Sequence, residues 1–255
     1  MDILSSRQNK ILALAGKDGR VDVEELSITF DVSPQTIRKD LNILCDRQLL
    51  QRVHGGAIVG SGIENVSYEA RGLLAPESKK AIGKIAATLI PDNSSLLINI
   101  GTTTEQVAYA LKDHRGLLVI TNNVNAVAIM KDFLGIELII AGGQVRRSDG
   151  GIIGVAAVDF INQFKVDYAV IGVSAIDEDG SLLDYDFREV RVAQAIIENA
   201  RHVILVADRM KLERNAPIRI GHISQINTIV MDDELPQKLH ASCKKHEVDM
   251  VIVNK

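Results

Sequence analysis

The chain has 255 residues, of which 46% are hydrophobic and 24% charged, and a formal net charge of −4. That is enough apolar material for one or two packed domains, and it offers no global positive charge, so any hold on nucleic acid must be local. No apolar run reaches membrane-span length, Met1-Asp2-Ile3-Leu4-Ser5 lacks the regions of a secretion signal, and Cys45 and Cys243 show no pairing pattern, so a cytoplasmic protein with reduced thiols is expected.

Ser5 or Ser6 opens a first helix whose inner side is Ile11, Leu12 and Leu14 and which stops near Gly16-Lys17-Asp18-Gly19. Asp22, followed by Glu25, forms a capping pair for a second helix over about residues 23 to 30, with Leu26 and Phe30 inward. Only Asp31 and Val32 separate it from a third helix, the helix-turn-helix arrangement. There Ser33 supplies the cap, and Pro34 suits the first helical position because its missing N–H would be unpaired anyway. At 100° per residue Ile37, Leu41 and Leu44 share one stripe, while Gln35, Arg38, Lys39 and Asn42 take the opposite side. Such a polar row, with Ser33 and Thr36 at its start, carries the donors and acceptors that read base edges and phosphates in a DNA major groove.

Leu49-Leu50-Gln51-Arg52-Val53 alternates as a strand does and runs into Gly55-Gly56, which predicts a small wing with Arg52 and His54 near phosphates. Residues 1–57 hold eight bases and eight acids, but residues 32–57 hold four bases against two acids. This modest local surplus suits base readout of double-stranded operator DNA better than a nonspecific coat. Residues 1–57 are therefore expected to form a winged helix-turn-helix domain, and 58–76, rich in Gly and ending at Pro76, a linker whose Val66–Leu74 stretch could dock on the second domain.

From Glu77 to Lys255 the pattern alternates between helix and strand. Apolar runs at 96–100, 117–120, 137–140, 168–173, 202–206, 228–230 and 250–253 are mostly separated by segments long enough for a crossover helix. Continuous apolar strands of this kind predict a mostly parallel sheet flanked by helices. Ligands of such sheets bind beyond the carboxyl ends of the strands. Gly101-Thr102-Thr103-Thr104 leaves the first strand and opens a helix, offering free amides to an anion. Asn122 and Asn123 end the second strand, and Gly143 and Arg146 follow the third. Asp177 follows a later strand, and Lys211 of Asp208-Arg209-Met210-Lys211 is either a cation for a phosphate or a solvated loop lysine. Three strand ends in a row carrying Gly, Thr, Asn and Arg favour a phosphorylated small metabolite. The six histidines lack metal-ligand spacing, and Ser148 and Ser181 lack a neighbouring base, so no metal, cofactor or catalytic residue is expected.

Arg7-x3-Ile11, then Ser33-Pro34-Gln35-Thr36-Ile37-Arg38-Lys39-Asp40-Leu41, and Arg52-x-His54-Gly55-Gly56-Ala57 resemble the DNA-binding signature of the DeoR family of bacterial regulators. The resemblance extends over nearly the whole chain. It implies a C-terminal sensor for phosphorylated sugars or related metabolites, with a fold similar to ribose-5-phosphate isomerase. The Gly101–Thr104 loop resembles that enzyme's phosphate loop, and Asp208-x-x-Lys211 another substrate-contacting segment. Ser174 and Ala193 stand where the isomerase family has its acid and lysine, so turnover is not expected. Many DeoR members keep a lysine at the position of Ala193.

Asp149-Gly150-Gly151-Ile152-Ile153-Gly154, Asp159-Phe160-Ile161-x-Gln163-Phe164 and Ala195-Ile196-Ile197-Glu198-Asn199 resemble the branch that responds to glycerol-3-phosphate. The resemblance implies a repressor, acting as a homodimer or homotetramer and released by that effector. An active isomerase and a ligand-dependent activator with the same domains are the competing readings.

Overall fold

Ser5 is the residue that starts the chain's first helix. Its hydroxyl accepts from the Gln8 amide at 3.2 Å while its own amide donates to Gln8 Oε1 at 3.0 Å, a reciprocal cap on α1 (Ser6–Asp18). A computed structural model describes residues 4–47, 49–58, 67–212 and 214–253. Its internal contacts divide the chain into two units, Met1–Pro76 and Glu77–Lys255.

In the first unit α1 buries Ile11, Leu12 and Ala15. Leu14, expected inside, is only half-buried, because Ala15 one turn beyond Ile11 takes the inner position. After β1 (Arg20–Asp22) comes α2 (Val23–Phe30), capped by Asp22 through a 2.8 Å bond from the Glu24 amide in place of the expected pairing with Glu25. Leu26 is buried and Phe30 only half-buried. Asp31, left-handed at φ 50°, turns the chain into α3 (Pro34–Asp46). Strands β2 (Gln51–Val53) and β3 (Gly56–Ile58) form a hairpin that joins β1 in an antiparallel sheet of order β1-β3-β2. Gly56 is required there: a Cβ would stand 2.0 Å from the Val21 carbonyl oxygen.

The stretch read as linker departs from expectation. Ser67 caps a helix, α4 (Tyr68–Leu73), that packs on α1, and the buried Leu74 comes close to Gly16. An apolar Leu74 with a capped turn before it gives this segment a core to join, and it joins the first unit. Residues 59–66 of the expected linker lie outside the described residues.

The second unit begins with α5 (Pro76–Thr88), β4 (Ser95–Ile98), α6 (Thr102–Ala110), β5 (Leu117–Thr121), α7 (Val124–Met130) and β6 (Ile136–Ile140). A small hairpin, β7 (Gln144–Val145) with β8 (Ile152–Ile153), leads to α8 (Val155–Ile161) and β9 (Val166–Ile171). Next come β10 (Ala175–Ile176), β11 (Ser181–Asp184), α9 (Phe187–Glu198), β12 (Ala200–Ala207) and β13 (Ile218–His222). The unit ends with β14 (Thr228–Met231), α10 (Gln237–Lys245) and β15 (Asp249–Ile252).

Seven of these strands form one parallel sheet of order β15-β14-β12-β9-β4-β5-β6. Side chains alternate between its faces. Leu97, Ile120, Ile171 and Leu205 pack into one apolar cluster, and their chain neighbours Leu96, Val119, Val170 and Ile204 into the other. Both faces are covered, which is why the strands read as unbroken apolar runs. Each fully buried Leu or Ile contributes about 1.5–3 kcal/mol. The antiparallel trio β10-β11-β13 stands apart from this sheet. Among the described residues no helix is long and apolar enough to cross a membrane.

Candidate functional site

Two places carry polar groups that the core does not account for, one in each unit. In the first, Ser33 caps α3: its hydroxyl accepts from the Thr36 amide at 3.2 Å and lies 2.9 Å from Thr36 Oγ1. Ser33 and Thr36 are therefore occupied in holding the helix start. Ile37, Leu41 and Leu44 are 0% exposed, so the helix is fixed in rotation. Gln35, Arg38, Lys39 and Asn42 are exposed on the other side, as the periodicity predicts. Arg38 Nη2 makes an exposed ion pair with Glu24 of α2 at 3.6 Å. Arg52 and His54 are exposed on the wing. Asp40 carries a positioning role that the sequence pattern left unassigned. It is buried, receiving Arg7 Nε at 2.5 Å and Gln8 Nε2 at 3.0 Å from α1.

In the second unit the strand order sets the site. The chain moves outward from β4 through β5 to β6, then returns to the far side of β4 as β9, so the order reverses between β4 and β9. In open parallel sheets such a reversal marks the crevice beyond the carboxyl ends of the strands where ligands bind. Gly101 lies just beyond β4 with φ 140° and ψ 150°, a conformation that an L side chain strains to reach. It precedes α6, whose first turn has no side-chain cap, so the amides of Thr102 and Thr103 begin a helix with its positive end toward the crevice. Gly172, just past β9, brings the other wall near: a Cβ there would stand 3.5 Å from Thr104 Cγ2 and 3.7 Å from the Ile100 carbonyl oxygen.

Several expected effector contacts make bonds within the fold. Thr104 is fully buried, its hydroxyl 2.8 Å from the carbonyl oxygens of both Asn99 and Gly101, so it pins the loop. Asn123 caps α7 through Oδ1, at 2.9 Å from the Asn125 amide and 3.2 Å from that of Ala126, and its Nδ2 donates to the buried Glu105. Asp177 is exposed in the turn between β10 and β11, accepting the Gly180 amide on its carbonyl and the Glu178 amide on its carboxylate. Gly143, with φ 147°, packs against the hairpin: a Cβ would stand 3.0 Å from Ile152 Cγ2.

Arg146 differs most from expectation. Its Nε and Nη2 hold Asp149 at 2.9 and 2.7 Å, its Nη1 holds Asp186 at 3.0 Å, and its Nη2 also donates to Glu189. The guanidinium ties the hairpin to the start of α9 through Asp149, Asp186 and Glu189. Burial pulls its pKa down, but Asp149 and Glu189 outweigh this and hold it above its ordinary value. Burial pushes the Glu189 carboxyl up to about 8, with Asp184 adding to the rise and Arg146 opposing it.

Lys211 is half-buried in the single 3-10 turn after β12, on the same edge of the sheet, and its amide donates to the carbonyl of the buried Asp208. Ser174 and Ala193 are buried, and Ser174 donates to the buried Asp184 at 3.0 Å, a pairing that sequence spacing did not reveal. The remaining expected contacts, Gly101, Thr102, Thr103 and Asn122, gather where β4 and β5 end.

Two family models match the chain: one described as the DeoR-like helix-turn-helix domain over residues 7–61, the other as the DeoR C terminal sensor domain over 75–233. The chain is 43% identical over 249 residues to a glycerol-3-phosphate regulon repressor of Escherichia coli K12, covering 96% of this chain and 98% of that protein. It is 44% identical over 250 residues to the protein of the same name from Haemophilus influenzae, covering 98% and 97%. Among solved structures, a D-ribose-5-phosphate isomerase in complex with phospho-erythronic acid matches with a TM-score of 0.41 and 18% identity over 54% of each chain.

Proposed function

Because the chain belongs to the DeoR family of transcriptional regulators, we propose that it is a cytoplasmic repressor of a carbon-metabolism operon, released from its operator by a phosphorylated metabolite. Glycerol-3-phosphate is the first candidate. Members of this family are DNA-binding regulators and not enzymes. Near full-length identity of 43–44% to two glycerol-3-phosphate regulon repressors is the observation that supports repression and this effector.

The local geometry fits the reading. Gln35, Arg38, Lys39 and Asn42 form the readout face, and Arg52 and His54 on the wing face phosphates. The phosphoryl group of the effector sits against the amides opening α6, next to Gly101, with Lys211 as a cation on the same sheet edge. The protein acts as a homodimer or homotetramer, because modules of this kind bind half-sites about one helical turn of DNA apart. Effector releases DNA only by its differential affinity for the two states, typically about 1–3 kcal/mol of coupling.

Fluorescence anisotropy of labelled operator DNA, titrated with the full chain and a panel of phosphorylated metabolites, tests this. Glycerol-3-phosphate is expected to weaken operator binding by about 5- to 150-fold. Tighter operator binding with the effector would make the protein an activator instead. No response to any phosphorylated compound would remove the sensor reading.

A further inference from the structure

Asn122 follows β5 directly and stands beside the end of β4, since Thr121 pairs with Ile98. Its side chain is fully buried. Nδ2 donates to the Ile152 carbonyl oxygen at 3.1 Å, and this bond settles which end of the amide is oxygen. The Asn122 backbone carbonyl accepts the Ile152 amide at 2.7 Å. The remaining polar atom, Oδ1, has no hydrogen-bond partner. Its neighbour makes the contrast: Asn123, equally buried, uses Oδ1 for two amides and Nδ2 for Glu105.

An acceptor buried without a donor carries a desolvation penalty that a ligand bearing a suitable hydrogen would lift. Two features a strand apart thus call for complementary groups. The α6 start favours an anion, and Asn122 Oδ1 favours a hydroxyl. Neighbouring strands lie about 4.8 Å apart, so one small molecule can span both. Above Asn122 is the β7–β8 hairpin, in a segment where Gly143, Gly150 and Gly154 all have positive φ.

We infer that Asn122 sets the effector class: its Oδ1 accepts a hydroxyl hydrogen of a ligand whose phosphoryl group rests on the start of α6. The ligand is then a phosphate ester with a free hydroxyl on the second or third carbon from the ester oxygen. This rests on the phosphate reading of the preceding subsection. It adds that the hydroxyl, and not the phosphate alone, is what the protein selects.

Isothermal titration of the full chain with glycerol-3-phosphate, propyl phosphate and inorganic phosphate tests it. Wild type is expected to bind glycerol-3-phosphate at least about tenfold more tightly than propyl phosphate, which has the same carbon chain without hydroxyls. Asn122→Leu is expected to erase that difference while inorganic phosphate binds it as before. Should Asn122→Leu fail to fold by circular dichroism, Asn122→Ser, whose oxygen falls short of the same position, is read in its place. Equal binding of the two esters by wild type, or a preference that survives in the variant, overturns the role of Asn122 and leaves the phosphate site standing. Failure of all three probes to bind overturns the phosphate reading and, with it, this one.

Discussion

Arg7 Nε donates to Asp40 Oδ2 at 2.5 Å, joining two residues 33 positions apart and fastening α1 to the inner side of α3. Gln8 Nε2 reaches the other carboxylate oxygen at 3.0 Å. The readout face on α3 is therefore aimed by a charge on its hidden face. Asp40→Ala leaves Arg7 and Gln8 without their acceptor, and because Arg7 is partly exposed the cost is about 2 kcal/mol, below that of a fully buried pair. The expected result is an earlier thermal transition for the first unit and weaker operator binding, with effector affinity unchanged by calorimetry. A variant with wild-type melting and operator affinity would show that the pair aims nothing.

Arg38 lies on the exposed face, and Arg38→Ala is expected to cost about 1–3 kcal/mol of operator affinity with relaxed selectivity at one base position. Glu24→Ala gives the opposite sign. It removes an exposed pair worth about 0–1 kcal/mol, frees Arg38 and takes a negative charge from the DNA side, so operator affinity rises slightly. Anisotropy titrations of both variants at one salt concentration decide; unchanged operator affinity in Arg38→Ala would place Arg38 outside the interface.

Arg146→Ala is expected to destabilise the second unit by about 3 kcal/mol, because Asp149 loses its two-pronged partner and Asp186 and Glu189 each lose a donor. Arg146→Lys keeps the charge but not the fork, and falls between. Calorimetric melting of the full chain reads both. Loss of effector binding with melting unchanged would restore Arg146 as a direct ligand contact.

Glu189 gives the sensor a pH dependence with a definite sign. Its ordinary value is 4.5, and in the fold burial chiefly lifts it to about 8. Between those values the folded state holds a proton that the unfolded chain has released, so the stabilisation is full below about pH 4.5 and lost as pH rises through about 8. Asp186 works oppositely: hydrogen bonds from Arg188 chiefly hold it at about 2, so its contribution is present above 3.8 and lost as pH falls through about 2. Glu189→Gln is expected to flatten the melting temperature between pH 5 and 9 and to exceed wild type at the alkaline end. Parallel pH profiles for the two proteins would contradict this.

What the sequence disclosed and what it hid follow from the range of the interactions. The Ser33 cap, Pro34, and the separation of Ile37, Leu41 and Leu44 from Gln35, Arg38, Lys39 and Asn42 depend on residues within one or two turns, and the structure reproduces them. All seven apolar runs of the second unit are strands of the parallel sheet, because double-sided burial leaves an unambiguous pattern. The ion pairs of Arg146 were not legible, because two of its three partners lie 40 and 43 residues away. The cap at Asn123 and the turn at Asp177 were hidden for a related reason, since caps and turns draw on the same short polar residues as binding loops. The Ala15-for-Leu14 exchange in α1 shows the remaining limit, where a larger apolar side chain one position away obscured the inner one.

The strands of the second unit hold the sheet together, and the groups proposed to meet a metabolite all stand in the connections just past their ends. Retuning such a sensor to a new compound then asks for a few exchanges in segments that contribute little to the sheet's cohesion, and the scaffold survives each trial. A protein built this way can acquire a different chemical trigger in small viable steps, with the same wing and the same readout helix waiting at its other end.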